Sequence, residues 1–306
     1  MKIPHPIPYQ GSKRHIARYI LPFFPRGIDT LIEPFAGSAA VSIAAACYGK
    51  ASRFHLNDLN QSLAALWLGM VNDPQGMADS YQRLWEAQRG QERAFYDWVR
   101  DEFNRTQRPD YLLYLLARCV KAAVRYNARG EFNQSPDNRR LGRNPAQMAQ
   151  DIWAVSNLFR DRVAITSQEY WEILELATPS DLVYMDPPYQ GVCNSGDPRY
   201  YSGIDFDEFV QSLQRLTRQQ IPFIVSYDGR TGDKSYGRKL PAELGLHRVE
   251  IRAGRSTQST LLGGNDITYE SLYLSPELVR NLDSSPQAMV DRLARYRPVQ
   301  LELPRP

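Results

Sequence analysis

The sequence predicts an α/β fold in which a parallel sheet is interrupted by a long helical segment. Residues 29–58 run strand, tight turn, helix and strand, which is the repeating unit of a parallel sheet. Residues 182–185 are a short apolar run that reads as a buried strand and ends in Asp-Pro-Pro-Tyr. Between these units, residues 61–165 carry apolar side chains at three- and four-residue spacing, which is typical of helices.

Length and composition limit the class of protein. The chain has 306 residues, of which 42% are hydrophobic, enough for one large domain or two modest ones. A net charge of +3 and a pI near 8.7 permit an anionic partner without requiring one. The three cysteines are too widely spaced for a disulfide framework or a zinc site. With no signal-like or membrane-spanning apolar run, we expect a cytoplasmic protein without a membrane partner.

The N-terminal residues 8–14 read Pro-Tyr-Gln-Gly-Ser-Lys-Arg and precede any regular pattern. Gly11 would let the backbone approach a ligand closely, and Lys13 can meet a carboxylate or a phosphate. A basic arm without a ligand is the alternative. A helix is predicted over residues 13–21, where Pro22 ends it.

The unit at residues 29–58 suits a nucleoside. It comprises a strand at 30–33, a turn at 34–38, a helix of small residues at 39–48 and a strand at 54–56. Gly37 allows close backbone approach, and Asp58, about twenty residues further on, can bind ribose hydroxyls. A dinucleotide fingerprint needs more glycines to hold a pyrophosphate, which disfavours a nicotinamide dehydrogenase. S-adenosylmethionine has a ribose and no pyrophosphate, and fits better.

The stretch Asp186-Pro187-Pro188-Tyr189 has the groups needed to hold a planar amine. Prolines cannot extend a ladder, so the strand stops at a stiff terminus. In open α/β sheets, ligands bind at such carboxyl ends. The Asp186 carboxylate and the Pro187 carbonyl can each accept one N–H while Tyr189 stacks on the ring. The alternative is an ordinary turn with a solvated aspartate.

Four helices are predicted over residues 61–71, 76–103, 111–127 and 145–159. The linker at residues 125–143 stands out because arginines are interleaved with amides and aromatic side chains. Arginine reads guanine bidentately, Asn and Gln read adenine, and further arginines hold phosphates. This composition predicts a DNA contact, and a solvated basic loop is the alternative. The polar residues concerned are Arg125, Arg129, Asn133, Arg139, Arg140 and Arg143.

The chain after Tyr189 continues the α/β pattern. Residues 190–203 form a loop rich in Gly, Ser and Asn that can cover a bound base as a lid, or be only a surface loop. A helix begins after Asp205, and Glu208 is spaced for a capping box. Residues 221–227 then read as another strand.

An antiparallel pair is predicted near the end of the chain. Residues 248–251 and 267–274 alternate in polarity, which is typical of a sheet edge. Arg252 and Arg255 lie between them and suit phosphate contact. A last helix, near residues 287–296, indicates nothing about function.

Several of these stretches together resemble the D12 class of adenine-specific DNA methyltransferases, the Dam-like enzymes. The motifs Pro-Tyr-Gln-Gly-Ser-Lys, Glu-Pro-Phe-Ala-Gly-Ser, Asn-Asp-Leu-Asn and Asp-Pro-Pro-Tyr occur in the order of that family. Residues 125–133 resemble its recognition segment, and residues 225–228 resemble the strand after its catalytic motif. The likeness runs from about residue 8 to residue 275. It implies a Rossmann-like, seven-stranded methyltransferase sheet with an inserted, mostly helical target-recognition domain.

The resemblance also implies roles for individual residues, and no metal. The implied catalytic residues are Asp186, Pro187 and Tyr189. The implied S-adenosylmethionine contacts are Tyr9, Gln10, Gly11, Lys13, Glu33, Phe35, Gly37, Asp58, Glu169 and Asp186. The implied DNA contacts are Arg125, Asn127, Arg129, Asn133, Arg139, Arg140, Arg143, Arg252 and Arg255.

The sequence departs from the family pattern at two places. The family usually has a second glycine where this chain has Ala39, and alanine is small enough to preserve close packing. An acid that contacts the cofactor adenine often precedes the catalytic strand. Here the local sequence is Ser-Gln-Glu-Tyr at residues 167–170, and either Glu169 or the backbone would fill that role.

We therefore expect a site-specific enzyme that methylates N6 of a flipped-out adenine in duplex DNA, in a prokaryote or a phage. Residues 1–60 and 163–280 would form the catalytic domain, 61–162 the target-recognition domain, and 281–306 a C-terminal helix and tail. A separate restriction endonuclease acting on the same site is an expected partner.

Two alternatives remain at this stage. Methylation of cytosine N4 or of an RNA base would use the same geometry. A non-catalytic DNA-binding protein with a degenerate cofactor pocket is the alternative from another class, and Asp186 and Lys13 both argue against it.

Overall fold

The structure is a computed structural model that describes residues 2–188, 204–231, 234–236, 238–255 and 267–295. Eight strands form one mixed sheet: β1 (Ile28–Glu33), β2 (Ala51–Asn57), β3 (Val163–Thr166), β4 (Leu182–Met185), β5 (Phe223–Thr231), β6 (Lys234–Tyr236), β7 (His247–Arg255) and β8 (Ile267–Leu274). Their order is β3-β2-β1-β4-β5-β8-β7, and β6 pairs with β5. Strands β1 to β5 pair in parallel, while β8 runs antiparallel to both β5 and β7. The seven strands in this order confirm the predicted seven-stranded α/β sheet, and β6 is a short addition to it.

Eleven α-helices lie in the described part of the chain. They are α1 (Ala17–Ile20), α2 (Ala40–Cys47), α3 (Gln61–Asn72), α4 (Pro74–Ala87), α5 (Glu92–Thr106), α6 (Pro109–Arg118), α7 (Pro145–Phe159), α8 (Tyr170–Glu175), α9 (Phe206–Arg218), α10 (Pro276–Arg280) and α11 (Pro286–Arg295). Short 3₁₀ turns occur at Lys13–His15, Leu21–Phe23, Val120–Ala122 and Ala242–Leu244. None of these helices is long and apolar enough to cross a membrane.

The strand order places a binding crevice at the centre of the sheet. Strands β1, β2 and β3 follow one another in one direction, whereas β4 lies on the other side of β1. Loops that leave the carboxyl ends of β1 and β4 therefore diverge, and ligands of open α/β sheets bind in the crevice between such loops. Helices α3 to α7 all belong to the connection between β2 and β3.

Apolar layers cover both faces of the sheet, as β4 illustrates. All four of its residues are buried. Leu182 and Tyr184 join a cluster formed with helices α1 to α7, while Val183 and Met185 join a second cluster with α8 and α9. The helical segment between β2 and β3 thus shares a core with the sheet. The rings of Phe159 in α7 and Phe54 in β2, for example, have centroids 5.2 Å apart.

Three predicted helices were wrong in their extent. Residues 76–103 form two helices instead of one, because the chain turns at Gly90 with a φ of +79° that a right-handed helix does not allow. The helix predicted over residues 111–127 ends at Arg118, and Lys121 and Ala122 follow with φ of 60° and 50°. The segment at residues 13–21 is broken into a 3₁₀ turn and the four-residue α1.

Other elements match the prediction closely. Helix α7 and strands β4 and β8 have the predicted bounds, and α3 extends one residue beyond them. Helix α9 begins after Asp205, whose carboxylate accepts hydrogen bonds from the backbone N–H groups of Asp207 and Glu208, both at 2.9 Å. The predicted lid at residues 190–203 lies outside the described residues.

Candidate active site

A cavity of about 600 Å³ opens at the carboxyl ends of four neighbouring strands. The loops that follow β4, β1, β2 and β3 line it, together with residues 9–13 of the N-terminal arm. Its volume is within the range of small-molecule sites. Every predicted cofactor residue lines this cavity, as do Asp186 and Pro187.

Asp186 lies at the end of β4 and forms an ion pair with the N-terminal arm. Lys13 Nζ is 2.9 Å from Asp186 Oδ1 and 3.8 Å from Glu270 Oε2. The Lys13 side chain is only 8% exposed, so its ammonium group is held between two carboxylates. The arm is itself anchored, because the Ser38 hydroxyl donates to Ser12 Oγ at 2.7 Å.

The turn after β1 places bare backbone against the cavity. Gly37 has a φ of +50°, and a Cβ at this position would lie 3.4 Å from the ring of Tyr9. Its carbonyl accepts a hydrogen bond from Trp67 Nε1 at 2.9 Å. Ala39, which replaces the second glycine of the family pattern, also has a left-handed φ of 46° and is fully buried. The alanine is therefore accommodated in a conformation that favours glycine.

Asp58 follows β2, and its carboxylate bonds to the backbone of the turn that contains Gly37. Its Oδ2 accepts the Gly37 N–H at 2.9 Å, and its Oδ1 accepts the Asn60 N–H at 3.0 Å. Burial raises the pKa of Asp58, and the two hydrogen bonds oppose that shift in part. The carboxylate is fixed at the cavity wall with lone pairs left over for further donors.

Glu33 ends β1 and is buried beneath the cavity. Its Oε1 accepts the Ser42 N–H at 2.6 Å in the first turn of α2, which has no side-chain cap of its own. Burial raises the pKa of Glu33 to about 8, with a smaller contribution from the charge of Asp186. Glu33 stabilises the start of α2, and its raised pKa favours the protonated form.

Strand β4 ends immediately before Asp186 and Pro187, as predicted. The β4–β5 ladder stops at Met185 and Val225, so the buried Pro187 lies beyond it. Tyr189 lies outside the described residues, and the position of its ring is therefore not part of this geometry.

The region after β3 is rich in aromatic side chains. Phe35, Tyr170 and Trp171 line the cavity here, and the rings of Phe35 and Tyr170 have centroids 5.3 Å apart. Glu169, a predicted adenine contact, precedes α8, and its backbone N–H donates to the carboxylate of Glu172 at 3.1 Å. Glu169 also lines the cavity.

Two residues near the site were not predicted. Glu270 lies in an alternating strand where nothing distinguishes it from its neighbours until the fold places it beside Lys13. Asn57 is the last residue of β2, and its buried side chain bonds to the loops after β1 and β3. The sequence did contain a signal for Asn57, because it is a polar residue at the carboxyl end of a predicted strand. The prediction assigned a role only to the next residue, Asp58.

The sequence identifies the family to which this site belongs. Residues 9–254 match the family described as D12 class N6 adenine-specific DNA methyltransferase. The chain belongs to this family. It is a DNA adenine-N6 methyltransferase, an enzyme that requires a methyl donor and acts on DNA.

Three relatives of the methyltransferase come from bacteria and a phage. Retron Ec67 DNA adenine methylase of Escherichia coli is 27% identical over 264 residues, which cover 82% of this chain and 87% of the relative. The DNA N-6-adenine-methyltransferase of Escherichia phage P1 is 27% identical over 203 residues, 65% of this chain and 26% of the relative. Modification methylase StsI of Streptococcus sanguinis is 26% identical over 258 residues, 78% of this chain and 38% of the relative.

Residues 126–132 of the methyltransferase form a tight hairpin at the start of the segment with the predicted DNA contacts. Tyr126 and Phe132 pair across it. Asn127 shapes the turn, since its Oδ1 accepts the N–H groups of Arg129 and Glu131 at 2.9 and 3.0 Å, and its amide nitrogen donates to the Glu131 carboxylate. Arg129 lies near the tip, is exposed, and has no ion-pair partner among the described residues.

The hairpin borders a second, polar cavity of about 470 Å³, between Arg129 and the start of α3. Asn133 is exposed and its backbone N–H donates to the Arg125 carbonyl at 3.0 Å. Arg125 is partly buried, and its Nε has no hydrogen-bond partner among the described residues.

Three other predicted DNA contacts of the methyltransferase have internal partners. Arg140 Nη2 is 2.7 Å and Arg139 Nε 3.3 Å from the carboxylate of Asp137. The Arg139 backbone N–H and these two guanidinium groups lower the pKa of Asp137. Arg143 is 2.7 Å from Asp151 and also donates to a backbone carbonyl of the N-terminal arm. Arg143 therefore ties the arm to α7.

The two arginines predicted near the sheet edge lie on β7. Arg252 is exposed and pairs with no carboxylate in the described part of the chain. The side chain of Arg255 lies outside the described residues.

Proposed function

We propose that the methyl donor is S-adenosylmethionine and that the acceptor is N6 of an adenine flipped out of duplex DNA. One observation carries this proposal. A single cavity is lined by Asp186, a carboxylate suited to an amine, and by Asp58, a carboxylate suited to a ribose. The same geometry would admit the N4 amine of cytosine, and the names of the relatives favour adenine.

The order of the strands supports an assignment for each part of the cofactor. Asp186 follows β4, the glycine turn follows β1, Asp58 follows β2, and the aromatic side chains follow β1 and β3. We assign the reacting methyl to the β4 end, the methionine moiety to the Gly37 turn, the ribose to Asp58 and the adenine to the region near Tyr170. The bare backbone at Gly37 and the unused lone pairs of Asp58 fit such a ligand.

The residues of the chain would prepare the amine for attack. S-adenosylmethionine supplies, when bound, a methyl group on a sulfonium centre. The lone pair of an adenine amine is conjugated with the ring, so the amine is a poor nucleophile. Hydrogen bonds accepted by the Asp186 carboxylate and the Pro187 carbonyl favour a pyramidal nitrogen. The carboxylate then stabilises the positive charge that develops on that nitrogen, while Lys13 fixes its position.

The base must leave the helix to reach Asp186. Flipping costs a few kcal/mol. We propose that Tyr189 stacks on the base, which would return about 1–3 kcal/mol.

We further propose that residues 61–162 form the target-recognition domain and that Arg129 reads a base edge. The support is its exposed guanidinium, which has no carboxylate partner among the described residues. Arg139, Arg140 and Arg252 would contact phosphates, which carry no sequence information. A restriction endonuclease that acts on the same site is a proposed partner, in a prokaryotic cell or a phage, because one relative is named a modification methylase.

The test is transfer of tritiated methyl from S-adenosylmethionine to a panel of plasmid DNAs, followed by sequencing that detects modified bases. We expect label at N6 of adenine within one short sequence. Label at cytosine N4 would support the alternative, and no label in any DNA would overturn the proposal.

Asp186→Ala tests the catalytic role of Asp186. We expect it to abolish transfer and to keep S-adenosylmethionine affinity within about tenfold, since the lost contact is made mainly in the transition state. Substantial activity in this variant would remove Asp186 from its role.

A further inference from the structure

The buried side chain of Asn57 uses its full hydrogen-bonding capacity at the end of β2. Its exposure is 1%. The amide nitrogen donates to the Pro34 carbonyl at 3.0 Å and to the Gln168 carbonyl at 2.9 Å. The amide oxygen accepts the Thr166 hydroxyl at 2.8 Å and the Gln168 N–H at 2.9 Å. A carboxamide has two donors and two acceptor lone pairs, so all four are satisfied.

These bonds begin where the backbone ladders end. The β1–β2 pairing stops at Glu33 and Leu56, and the β2–β3 pairing stops at Asn57 and Thr166. The side chain of Asn57 then reaches beyond both ladders, to Pro34, one residue after the β1 pairing ends, and to Gln168, two residues after the β3 pairing ends. It adds side-chain hydrogen bonds on both sides of β2, next to the backbone bonds from Ala36 N–H to the Asn57 carbonyl and from Asp58 N–H to the Thr166 carbonyl.

The two segments that Asn57 joins form two walls of the same cavity. Pro34 begins the turn that contains Gly37, and Gln168 begins the aromatic stretch that contains Tyr170 and Trp171. Asp58, the next residue in the chain, lies between them and also holds the N–H of Gly37. The side chain of Asn57 therefore helps to set the width of the cavity at Asp58, together with backbone hydrogen bonds from Ala36 N–H to the Asn57 carbonyl and from Asp58 N–H to the Thr166 carbonyl.

We propose that Asn57 is a positioning residue for the methyl donor, which sets the separation of the β1 and β3 loops around Asp58. This inference rests on the proposed use of S-adenosylmethionine. Asn57 itself does not touch the reacting atoms. Its removal should weaken donor binding and leave the chemical step at Asp186 intact, because Asp186 follows β4 and is held by Lys13 of the N-terminal arm.

The test compares two buried carboxamides. Asn57→Asp keeps the shape and removes both donors. Gln88→Glu is the matched control, because Gln88 is also fully buried and its amide donates to the Trp85 and Leu141 carbonyls at 3.1 and 2.9 Å. Gln88 lies among the helices after β2 and does not line the cavity. Both variants should lower the melting temperature.

The two variants should differ in donor binding. By calorimetry, we expect Asn57→Asp to weaken S-adenosylmethionine binding by about 10- to 100-fold, as misplaced binding groups commonly do. Its KM for the donor should rise similarly, while kcat at saturating donor stays within about threefold. Gln88→Glu should bind the donor like the wild type. If Asn57→Asp binds the donor within twofold of the wild type, Asn57 is only structural and the inference is wrong.

A second variant tests the inference if Asn57→Asp does not fold, and the wild type tests the proposed function separately. Thr166→Val removes one hydrogen bond to Asn57 Oδ1, and we expect a smaller loss of donor affinity, which decides the question if Asn57→Asp does not fold. Unchanged affinity in Thr166→Val would then overturn the inference. A wild-type protein that does not bind S-adenosylmethionine would instead overturn the proposed function.

Discussion

The ion pair between Lys13 and Asp186 makes a quantitative prediction about stability. Lys13→Met removes the ammonium group, and Asp186→Asn removes the carboxylate while keeping its shape. Each single variant leaves a charged partner inside the protein without its closest counter-ion. The double variant removes both charges, so it should be less destabilised than the sum of the two single variants.

The magnitude follows from the distance and the burial. At 2.9 Å, the direct attraction is about 6 kcal/mol for an effective dielectric constant near 20. The cost of removing both groups from water offsets much of it, and breaking a buried pair typically costs about 3–5 kcal/mol. Two features reduce the stability lost when one partner is removed. Asp186 is 23% exposed and keeps some contact with water, and Glu270 lies near Lys13 as a second carboxylate. We expect each single variant to lose about 1–3 kcal/mol, with a coupling energy of about 1–2 kcal/mol.

The assay is urea denaturation of the four proteins in the double-mutant cycle. The more exposed pair Arg93–Asp97, one helical turn apart on α5, provides the control, and its coupling should not exceed about 0.5 kcal/mol. If the effects at Lys13 and Asp186 add within about 0.3 kcal/mol, the pair does not form in solution and the reasoning fails.

Three further predictions concern the cofactor, the DNA and the effect of pH. Asp58→Ala should weaken S-adenosylmethionine binding by about 1.5–3 kcal/mol, measured by calorimetry, and unchanged affinity would mark Asp58 as a structural acid. Arg129→Ala should cost about 1–3 kcal/mol at one base pair and relax preference there. Arg140→Ala should weaken methylation of all single-base variants of the site alike, and the same uniform loss in Arg129→Ala would exclude base reading. The pKa of Glu33 is raised from 4.5 to about 8. The folded protein therefore keeps a proton that the unfolded chain releases, so stability should fall as pH rises through that interval. Glu33→Gln should flatten this dependence in urea denaturation, and an unaltered slope would contradict it.

The elements that sequence patterns predicted well are those that short-range chemistry determines. Strand β4 is apolar throughout, and α7 begins with Asn144, whose side chain accepts two backbone N–H groups, followed by Pro145. The end of α6 was missed because Cys119 is extended and Lys121 and Ala122 adopt positive φ, and none of these residue types indicates such a conformation. Only the packing around the segment reveals it, as in the hydrogen bond from the Gln10 N–H to the Ala122 carbonyl.

The sequence predicted many of the residues that line the candidate site, but it did not predict which of their side chains contact one another. Motif order indicated Lys13 and Asp186 separately, yet their ion pair depends on the arm crossing the end of β4. The arginines of residues 125–143 were equivalent in sequence. The fold separates them, because Asp137 and Asp151 take up Arg139, Arg140 and Arg143, while Arg129 lies on an exposed hairpin.

The charge of the cavity bears on which donor it accommodates. Six acidic side chains and one lysine are among the described residues that line it: Glu33, Asp58, Glu169, Asp186, Asp205, Glu208 and Lys13. Lys13 pairs with Asp186, backbone N–H groups hold Asp58, and the raised pKa of Glu33 favours its neutral form. Such a lining repels a pyrophosphate and attracts a cation. The sulfonium and ammonium groups of S-adenosylmethionine are cationic. The electrostatics of the cavity and its glycine turn therefore favour the same class of ligand on independent grounds.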